Sequence, residues 1–257
     1  MHHGGHHETL LFLHQLRRIP RRYAAVLWTK PDAYDYIDVK GLSLVRRDSC
    51  KLVKRLCKNA LDTLLHERDL GKAVGDVRAA LLALASGEVP MEDLVVSKQL
   101  KTDYKTTSHP HLHVAKTMRK RQPGSEPRSG DRVPFVFVVT ADPLVNNFEK
   151  AEDPAYAAEQ GLPLDVLYYI EHHLTNPLVS LFAPILHPDL DEGAAERATK
   201  TDLFGDEALQ ARLARFKADA KARVVEAKRV LKNRTNRQAE ISSFFAKKQK
   251  VDTVFNG

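Results

Sequence analysis

The chain has 257 residues, 43% of them hydrophobic, and its 40 Lys and Arg against 33 Asp and Glu give a formal net charge of +7. A chain of this length can bury a hydrophobic core, as one large domain or as a medium one with extensions. The basic excess suits a polyanionic partner, although a soluble basic protein would show it too. No stretch approaches the roughly 18 apolar residues that span a bilayer, and the start lacks a secretory signal pattern. We therefore expect an intracellular protein.

The two cysteines, Cys50 and Cys57, are too few for a disulfide framework. Their spacing, C-x6-C, matches no common pair of zinc ligands. We expect both to be buried thiols and expect no metal site in this chain.

The beginning of the chain predicts a disordered head followed by a β-hairpin. Four histidines flank two glycines in residues 1–19. Clustered imidazoles can capture a metal, but a cluster without a rigid scaffold favours a disordered head, a tag-like accident or a mis-set start. Two short apolar runs then predict paired strands, because a turn signal, PDAYD, separates YAAVLWT from YIDVKG.

Helical spacing dominates the rest of the chain. Asp48 is predicted to cap a helix through KLVKRLCKNALDTLLHERD, and a second helix is predicted in LGKAVGDVRAALLALASGEVP, closed by Gly87 and Pro90. The β-branched and aromatic run PFVFVV predicts a strand. A further helix is predicted through PLDVLYYIEHHLTNPLVSLFAPIL, bent or broken around Pro177.

The composition becomes charged and rich in alanine after His187. A long basic amphipathic helix is predicted through DEALQARLARFKADAKARVVEAKRVLKNR. Helical periodicity is lost in the tail that follows. The predicted fold class is therefore α+β and mainly helical, with a short hairpin in front and a long basic helix and a flexible tail behind.

Four ordered blocks within residues 20–187 resemble family B DNA polymerases of the delta type. They are RRYAAVLWTKPDAYDYIDVKGLSLVRRDSC, LVVSKQL, HVAKTMRKRQPGSEPRSGDRVPFVFV and EDPAYAAEQGLPLDVLYYIEHHLTNPLVSLFAPIL. Their order and spacing make this a specific signal. The resemblance implies the end of a palm domain at 20–48 and a thumb domain at 49–187. The change in composition adds a basic helical extension at 188–236 and a tail at 237–257, which is predicted to bind the sliding clamp.

The resemblance also implies which residues contact duplex DNA. Arg21, Arg22 and Tyr23 match the last three positions of a Lys-Lys-Arg-Tyr motif that lies against the new duplex, whereas Pro20 stands where the first Lys belongs. The block KGLSLVRRD joins palm to thumb in this family. It implies that three cations lie near the primer-template backbone: Lys40, Arg46 and Arg47. For Arg46, an ion pair with Asp48 is the alternative.

Further DNA contacts are predicted because a thumb must hold duplex of every sequence. Phosphate contacts from Lys and Arg give affinity without base information. The candidates are Lys98, Arg119 and Arg121, with Lys120 between the last two. Each alone is more often a solvated surface charge. The block GDRV is interpreted as architecture, with a local ion pair between Asp131 and Arg132.

The acidic motifs that hold the two Mg²⁺ ions of such polymerases, D-x-x-S-L-Y-P and Y-G-D-T-D-S, do not occur in these 257 residues. We therefore interpret the chain as the C-terminal part of a polymerase that needs a separate or upstream palm, and we expect it to be inactive alone. The alternatives are a non-catalytic DNA-binding and clamp-binding accessory protein, or an inert gene fragment. An open frame upstream of Met1 that encodes palm motifs would favour the first interpretation.

The tail contains a pattern typical of peptides that bind the sliding clamp. Its four constrained positions are Gln238, Ile241, Phe244 and Phe245. One helical turn would bring the aliphatic and aromatic side chains together as an apolar plug. A short aromatic segment that packs back onto the thumb is the alternative. The lysines of KKQK and the resemblance together predict a nuclear location or a viral replication site.

Overall fold

In the computed structural model, the backbone is described for residues 23–27, 36–40, 42 and 45–255, and the side chains for residues 38–40, 42, 45–233, 237 and 238. The chain is mainly helical with short antiparallel strands, which confirms the predicted α+β class. Within these ranges, no helix combines the length and the apolar character needed to cross a membrane.

The predicted hairpin is confirmed. Strands β1 (Tyr23–Leu27) and β2 (Tyr36–Lys40) pair antiparallel, with Tyr23 opposite Lys40. Two predicted helices follow, α1 (Lys51–Asp62) and α2 (Leu70–Ala85), and a π-helical turn at Thr63–Glu67 lies between them.

The predicted capping of the first helix by Asp48 is wrong. Helix α1 begins only at Lys51, with Cys50 at its N-cap and no side-chain hydrogen bond there. The Asp48 carboxylate instead accepts two hydrogen bonds from the Arg46 guanidinium. The two charge-assisted hydrogen bonds from this guanidinium stabilise the carboxylate more than one hydrogen bond from a backbone amide would.

A three-stranded antiparallel sheet forms the middle of the chain, in the order β3-β4-β5. Its strands are β3 (Val96–Gln99), β4 (Arg132–Phe137) and β5 (Ala151–Glu152). Strand β4 contains most of the predicted PFVFVV run. The helical segments around the sheet are α3 (Met91–Leu94), α4 (Pro110–Arg121), a 3₁₀ turn (Asn147–Lys150) and α5 (Pro154–Glu159).

The next predicted helix is interrupted, as expected, next to Pro177. It consists of α6 (Val166–Tyr168), a π-helical segment (Tyr169–Leu174) and α7 (Thr175–Leu186). Proline has no amide hydrogen, so Pro177 cannot donate to the carbonyl four residues earlier, but it fits the first turn of a new helix.

Two helices complete the described chain, α8 (Glu192–Phe204) and α9 (Glu207–Phe255). Sequence reasoning did not separate α8, although Asp191 caps it by accepting from the Ala194 amide. It did predict α9, but it expected periodicity to end near residue 237, whereas the helical backbone runs on to Phe255. The sequence has neither Gly nor Pro between Gly205 and Phe255 to end the helix.

A large hydrophobic core holds most of these elements together, and a small second cluster of Val136, Val138 and Ala157 packs α5 against β4. The buried side chains of the large core extend along the sequence from Leu42 to Leu213, so α8 and the first turns of α9 share the core of the preceding helices. Tyr169, Phe137 and Phe182 are the largest of its fully buried side chains. Cys50 and Cys57 are buried and free, as predicted, and burial raises the pKa of the Cys57 thiol to about 12.

Candidate nucleic-acid interface

The candidate DNA contacts begin on the hairpin. The register of the two strands sets Tyr23 directly across from Lys40, at the end of the hairpin that leads into the next segment. The Lys40 side chain is exposed. Arg21, Arg22 and the Tyr23 side chain lie outside the described residues, so their predicted contacts stay predictions.

Arg46 makes the ion pair that the sequence offered as its alternative role. Its Nε and Nη2 donate to Asp48 Oδ1 and Oδ2, both at 3.1 Å. This hydrogen bonding lowers the pKa of Asp48 below its usual value and raises that of Arg46. The Arg46 side chain is still 62% exposed. The pair therefore orients the guanidinium without burying it.

Arg132 fixes the segment that carries Arg46 and Arg47. Its Nη2 donates to the Arg47 carbonyl at 3.0 Å and also to the Ser97 carbonyl, and its Nε donates to Ser97 Oγ at 3.0 Å. The predicted ion pair with Asp131 is wrong, because that carboxylate accepts from the Arg128 amide. Strand pairing explains the difference, since it sets Gln99 opposite Arg132 and brings Ser97 within its reach.

Lys98 lies beside this segment. It is an exposed residue of β3, opposite Val133 of β4. Its charge is the smallest of the influences that lower the pKa of Asp48, after the Arg46 hydrogen bond, the Arg46 charge and a backbone hydrogen bond. Arg46, Arg47, Lys98 and Arg132 therefore form one basic group, which we call the Arg46 group. Sequence reasoning found three of its members and missed Arg132.

A polar cleft of about 330 Å³ opens next to the Arg46 group. Its polar lining consists of Arg46, Asp48, Ser49, His172, His173, Asn176 and Ser180. Burial lowers the pKa of His173 to about 4, so this imidazole is neutral near pH 7. Its ring lies against Phe137, with centroids 5.2 Å apart. A neutral, packed imidazole serves as a structural part of the cleft lining. This agrees with the sequence, which gave little support to a general-base or ligand role for these histidines.

The other basic candidates lie at the end of α4. Arg121 donates to both carboxylate oxygens of Glu152, at 2.8 and 2.6 Å, and stacks over Tyr156 at 3.4 Å from the ring centroid. Its guanidinium therefore stabilises the contact between α4 and the segment of Glu152 and Tyr156. Arg119 is 74% exposed and lies 3.5 Å from Glu126, with Nε nearest Oε1.

Lys98 of the Arg46 group and the two arginines lie near different ends of helix α4. The charge of Lys98 acts on His111 near the beginning of α4, whereas Arg121 ends that helix. Ten residues of α-helix span about 15 Å. Arg121 therefore lies about that distance along the helix from His111, and Arg119 is the more accessible of the two cations.

The clamp-peptide pattern lies on the distal part of α9. Gln238 is exposed, and the backbone of Ile241, Phe244 and Phe245 is helical. The side chains of those three residues lie outside the described part, so their predicted role stays a prediction. Among the side chains that are described, no group of three or more His, Cys, Asp or Glu could hold a metal ion.

Comparison with known proteins gives one family. Residues 12–185 match the model of DNA polymerase family B. The chain is 39% identical over 229 residues to a DNA polymerase of Paramecium bursaria Chlorella virus NY2A, covering 89% of this chain and 24% of that protein. It is 42% identical over 167 residues to the DNA polymerase delta catalytic subunit of Candida albicans, covering 65% of this chain and 16% of that protein.

A solved structure, the family B DNA polymerase of Pyrobaculum calidifontis, overlaps 61% of this chain and 19% of its own, with 27% identity and a TM-score of 0.48. The chain thus spans less than a quarter of the length of each relative named here. The family match covers most of the chain, from the hairpin through the Arg46 group to α7. This chain belongs to DNA polymerase family B.

Proposed function

We propose that this chain is the C-terminal, thumb-containing portion of a delta-like DNA-directed DNA polymerase. In this proposal it holds the primer-template duplex through phosphate contacts and carries a sliding-clamp peptide. Family membership and the identity to delta catalytic subunits support the coarse assignment. The same resemblance suggests the nucleus, or a viral replication site, as the place of action.

The observation that carries the DNA-binding proposal is the Arg46 group. Its cations come from three separate stretches of sequence, and hydrogen bonds hold the guanidinium groups of Arg46 and Arg132 in place. Fixed, exposed Lys and Arg side chains suit phosphate oxygens, and they hold a duplex of any sequence equally well. Arg119 is a further candidate. Arg121 is a weaker one, because DNA would have to compete with Glu152.

Catalysis in this proposal requires residues that the chain does not contain. The two Mg²⁺ ions of the whole polymerase would be held by Asp residues of palm motifs that are missing from this sequence. We therefore derive no reaction step for this chain. Its contribution is to position and retain the duplex while a palm, upstream or on a separate chain, adds nucleotides.

The deciding experiment compares binding with primer extension. The full chain is titrated with a labelled primer-template, and the same mixture is assayed with Mg²⁺ and deoxynucleotides. We expect binding that is insensitive to sequence and weakens with salt, and no extension. Extension by the pure chain would contradict the assignment, and so would a sequence-specific complex that salt does not weaken.

A matched pair of variants tests whether the Arg46 group is the contact. Arg47→Gln with Lys98→Gln removes two charges from it, and Lys58→Gln with Lys200→Gln removes two exposed charges from α1 and α8. Loss of two phosphate contacts should lower the slope of log affinity against log salt by about 1.8. Equal effects of the two pairs would mean that only the net charge matters.

The alternative is a non-catalytic accessory protein, which would make the same contacts to DNA and clamp but would not work together with a palm. Adding a polymerase fragment that contains the palm distinguishes the two. If the chain is a polymerase portion, the mixture should extend primers better than the fragment alone. An accessory protein would bind DNA and clamp and leave the rate of extension by that fragment unchanged.

A further inference from the structure

Helix α9 leaves the body of the protein after its first turns. Leu209 and Leu213 are buried in the core, whereas Val225 and Leu231 are 58% and 56% exposed. Two contacts brace the helix as it departs. Lys217 Nζ lies 3.1 Å from Glu171 Oε1, and Arg223 Nη2 donates to the Thr140 carbonyl. The N-terminal end of the helix is therefore anchored in the core, and the following turns are exposed.

The exposed part of α9 is strongly basic. Residues 212–237 contain ten Lys and Arg but only two acidic residues, Asp219 and Glu226. Such an imbalance is costly in isolation, because like charges three or four residues apart on a helix repel each other. An anionic partner would remove that cost.

The lysines of this stretch line up on one flank. Lys217, Lys221, Lys228 and Lys232 follow one another at intervals of four, seven and four residues. At 3.6 residues per turn they fall within about 60° of one another, and both acidic residues lie on the opposite side, about 180–200° around the helix from Lys217. We call these four residues the lysine row.

Three members of the lysine row have no partner among the described residues. Lys221, Lys228 and Lys232 are exposed, and they take part in none of the ion pairs of the described part, whereas Arg229 is bonded to Glu226 at 2.9 Å. Lys217 is the exception because it pairs with Glu171. The row from Lys217 to Lys232 is about 22 Å long, which matches some seven base pairs of duplex.

The lysine row begins next to the cleft of the Arg46 group. Glu171, which holds Lys217, immediately precedes His172, and His172 lines that cleft together with Arg46. A duplex that reaches the Arg46 group would therefore meet the start of the row. This continuity favours DNA over an acidic protein as the partner.

We propose that the lysine row on α9 is a second phosphate-backbone contact, which extends the grip of the Arg46 group along the same duplex. The inference rests on the proposed function, since it assumes that the body of the protein binds duplex DNA. It assigns a role to a helix whose sequence predicted only a basic extension.

The test compares two triple variants of the full chain by their duplex affinity over a range of salt. The first is Lys221→Gln with Lys228→Gln and Lys232→Gln. The control is Arg212→Gln with Arg215→Gln and Arg229→Gln, which removes the same charge from positions about 120–220° around the helix from Lys217. Glutamine preserves helix formation in both, and circular dichroism would verify this.

We expect the lysine-row variant to lower the slope of log affinity against log salt by about 2.7 and to lower the affinity at 100 mM salt by roughly 10- to 100-fold. The control should lower the slope by less than half as much. Equal losses, or no loss in the lysine-row variant, would overturn the inference. If the Arg47 and Lys98 variant loses affinity while the lysine-row variant does not, the inference fails and the proposed function stands. If the unmodified chain binds no duplex, both fail.

Discussion

At the scale of single residues, the guanidinium of Arg132 joins parts of the chain that are 85 residues apart in sequence. By holding the Arg47 carbonyl and both oxygens of Ser97, it ties the segment after the hairpin to strand β3. A guanidinium can do this because its donors form a rigid planar fork, which a lysine ammonium does not reproduce. Arg132 is thus the member of the Arg46 group that positions the segment of Arg46 and Arg47.

Replacing Arg132 by Lys keeps the charge but loses the fork. We expect faster hydrogen exchange at the amides of residues 46–50 and a loss of duplex affinity of roughly 3- to 10-fold, equivalent to about one hydrogen bond. Arg128→Lys is the control, because the Arg128 side chain is exposed and makes no bond within the described chain. Unchanged exchange in Arg132→Lys would show that the segment holds its position without this guanidinium.

A second residue-scale prediction concerns His111. This side chain is 2% exposed, and its Nε2 lies 2.8 Å from Tyr104 Oη. Burial, with the nearby charges of Lys98, His109 and Lys101, lowers its pKa to about 4. The unfolded chain, with a histidine pKa near 6.5, binds this proton first, so the contribution of His111 to stability is complete above about pH 6.5 and falls as the pH drops towards 4.

His111→Gln should remove that part of the pH dependence. We expect the free energy of unfolding in urea to fall less between pH 6.5 and pH 4 in the variant than in the parent, by on the order of 3 kcal/mol at most. Parallel curves for the two proteins would show that His111 is not the group responsible. The difference between the two curves isolates His111 from the carboxylates that also titrate there.

Sequence patterns revealed the charges of such residues but not their partners. The pair of Arg46 and Asp48 was foreseeable because only one residue separates them. The contacts of Arg132 were not, because they depend on the register of β3 and β4 and on where the segment at Arg47 crosses them. Similarly, the candidate Arg121 gave no sign in sequence that Glu152, 31 residues away, would hold it.

At the scale of elements, long periodic segments were predictable and irregular ones were not. Helices α1 and α2 follow from apolar spacing, α9 from its charged and alanine-rich amphipathic composition, and β4 from its β-branched and aromatic run. The π-helical segment at Tyr169–Leu174 was predicted only as a bend. It makes a tertiary contact that sequence periodicity does not reveal, because the Phe137 amide of β4 donates to Tyr169 Oη at 3.0 Å within the core.

Tyr169→Phe tests that contact between β4 and the π-helical segment. The substitution leaves the buried Phe137 amide without its acceptor, and we expect a loss of about 1–3 kcal/mol in the free energy of unfolding. Tyr168→Phe is the matched control, because the neighbouring Tyr168 hydroxyl donates no hydrogen bond in the described structure and its ring is half-buried. Equal stabilities of the two variants would show that another group satisfies the Phe137 amide.

At the scale of the whole molecule, one continuous helix connects the core to the distal part of the chain. The division at residue 188 that sequence composition suggested does not divide the core, because Ala195, Leu203 and Leu209 belong to it. The match to the Chlorella virus polymerase is long enough to reach into α9, whereas the delta subunits match about two thirds of the chain. In the proposed function, this helix carries the clamp pattern away from the body that is proposed to hold the duplex.

Replacing Phe244 and Phe245 by Ala should abolish clamp binding by the full chain and leave its duplex affinity nearly unchanged. Aromatic anchors of a peptide interface contribute 2 kcal/mol or more each, so we expect a loss of roughly 100-fold or more in affinity for a purified sliding clamp, measured by calorimetry. Ser242→Ala with Ser243→Ala changes the two unconstrained positions between the anchors and should bind as the parent does. If clamp affinity survives the loss of both aromatic rings, the peptide assignment is wrong, whereas parallel losses of clamp and duplex affinity would point to damage to the fold.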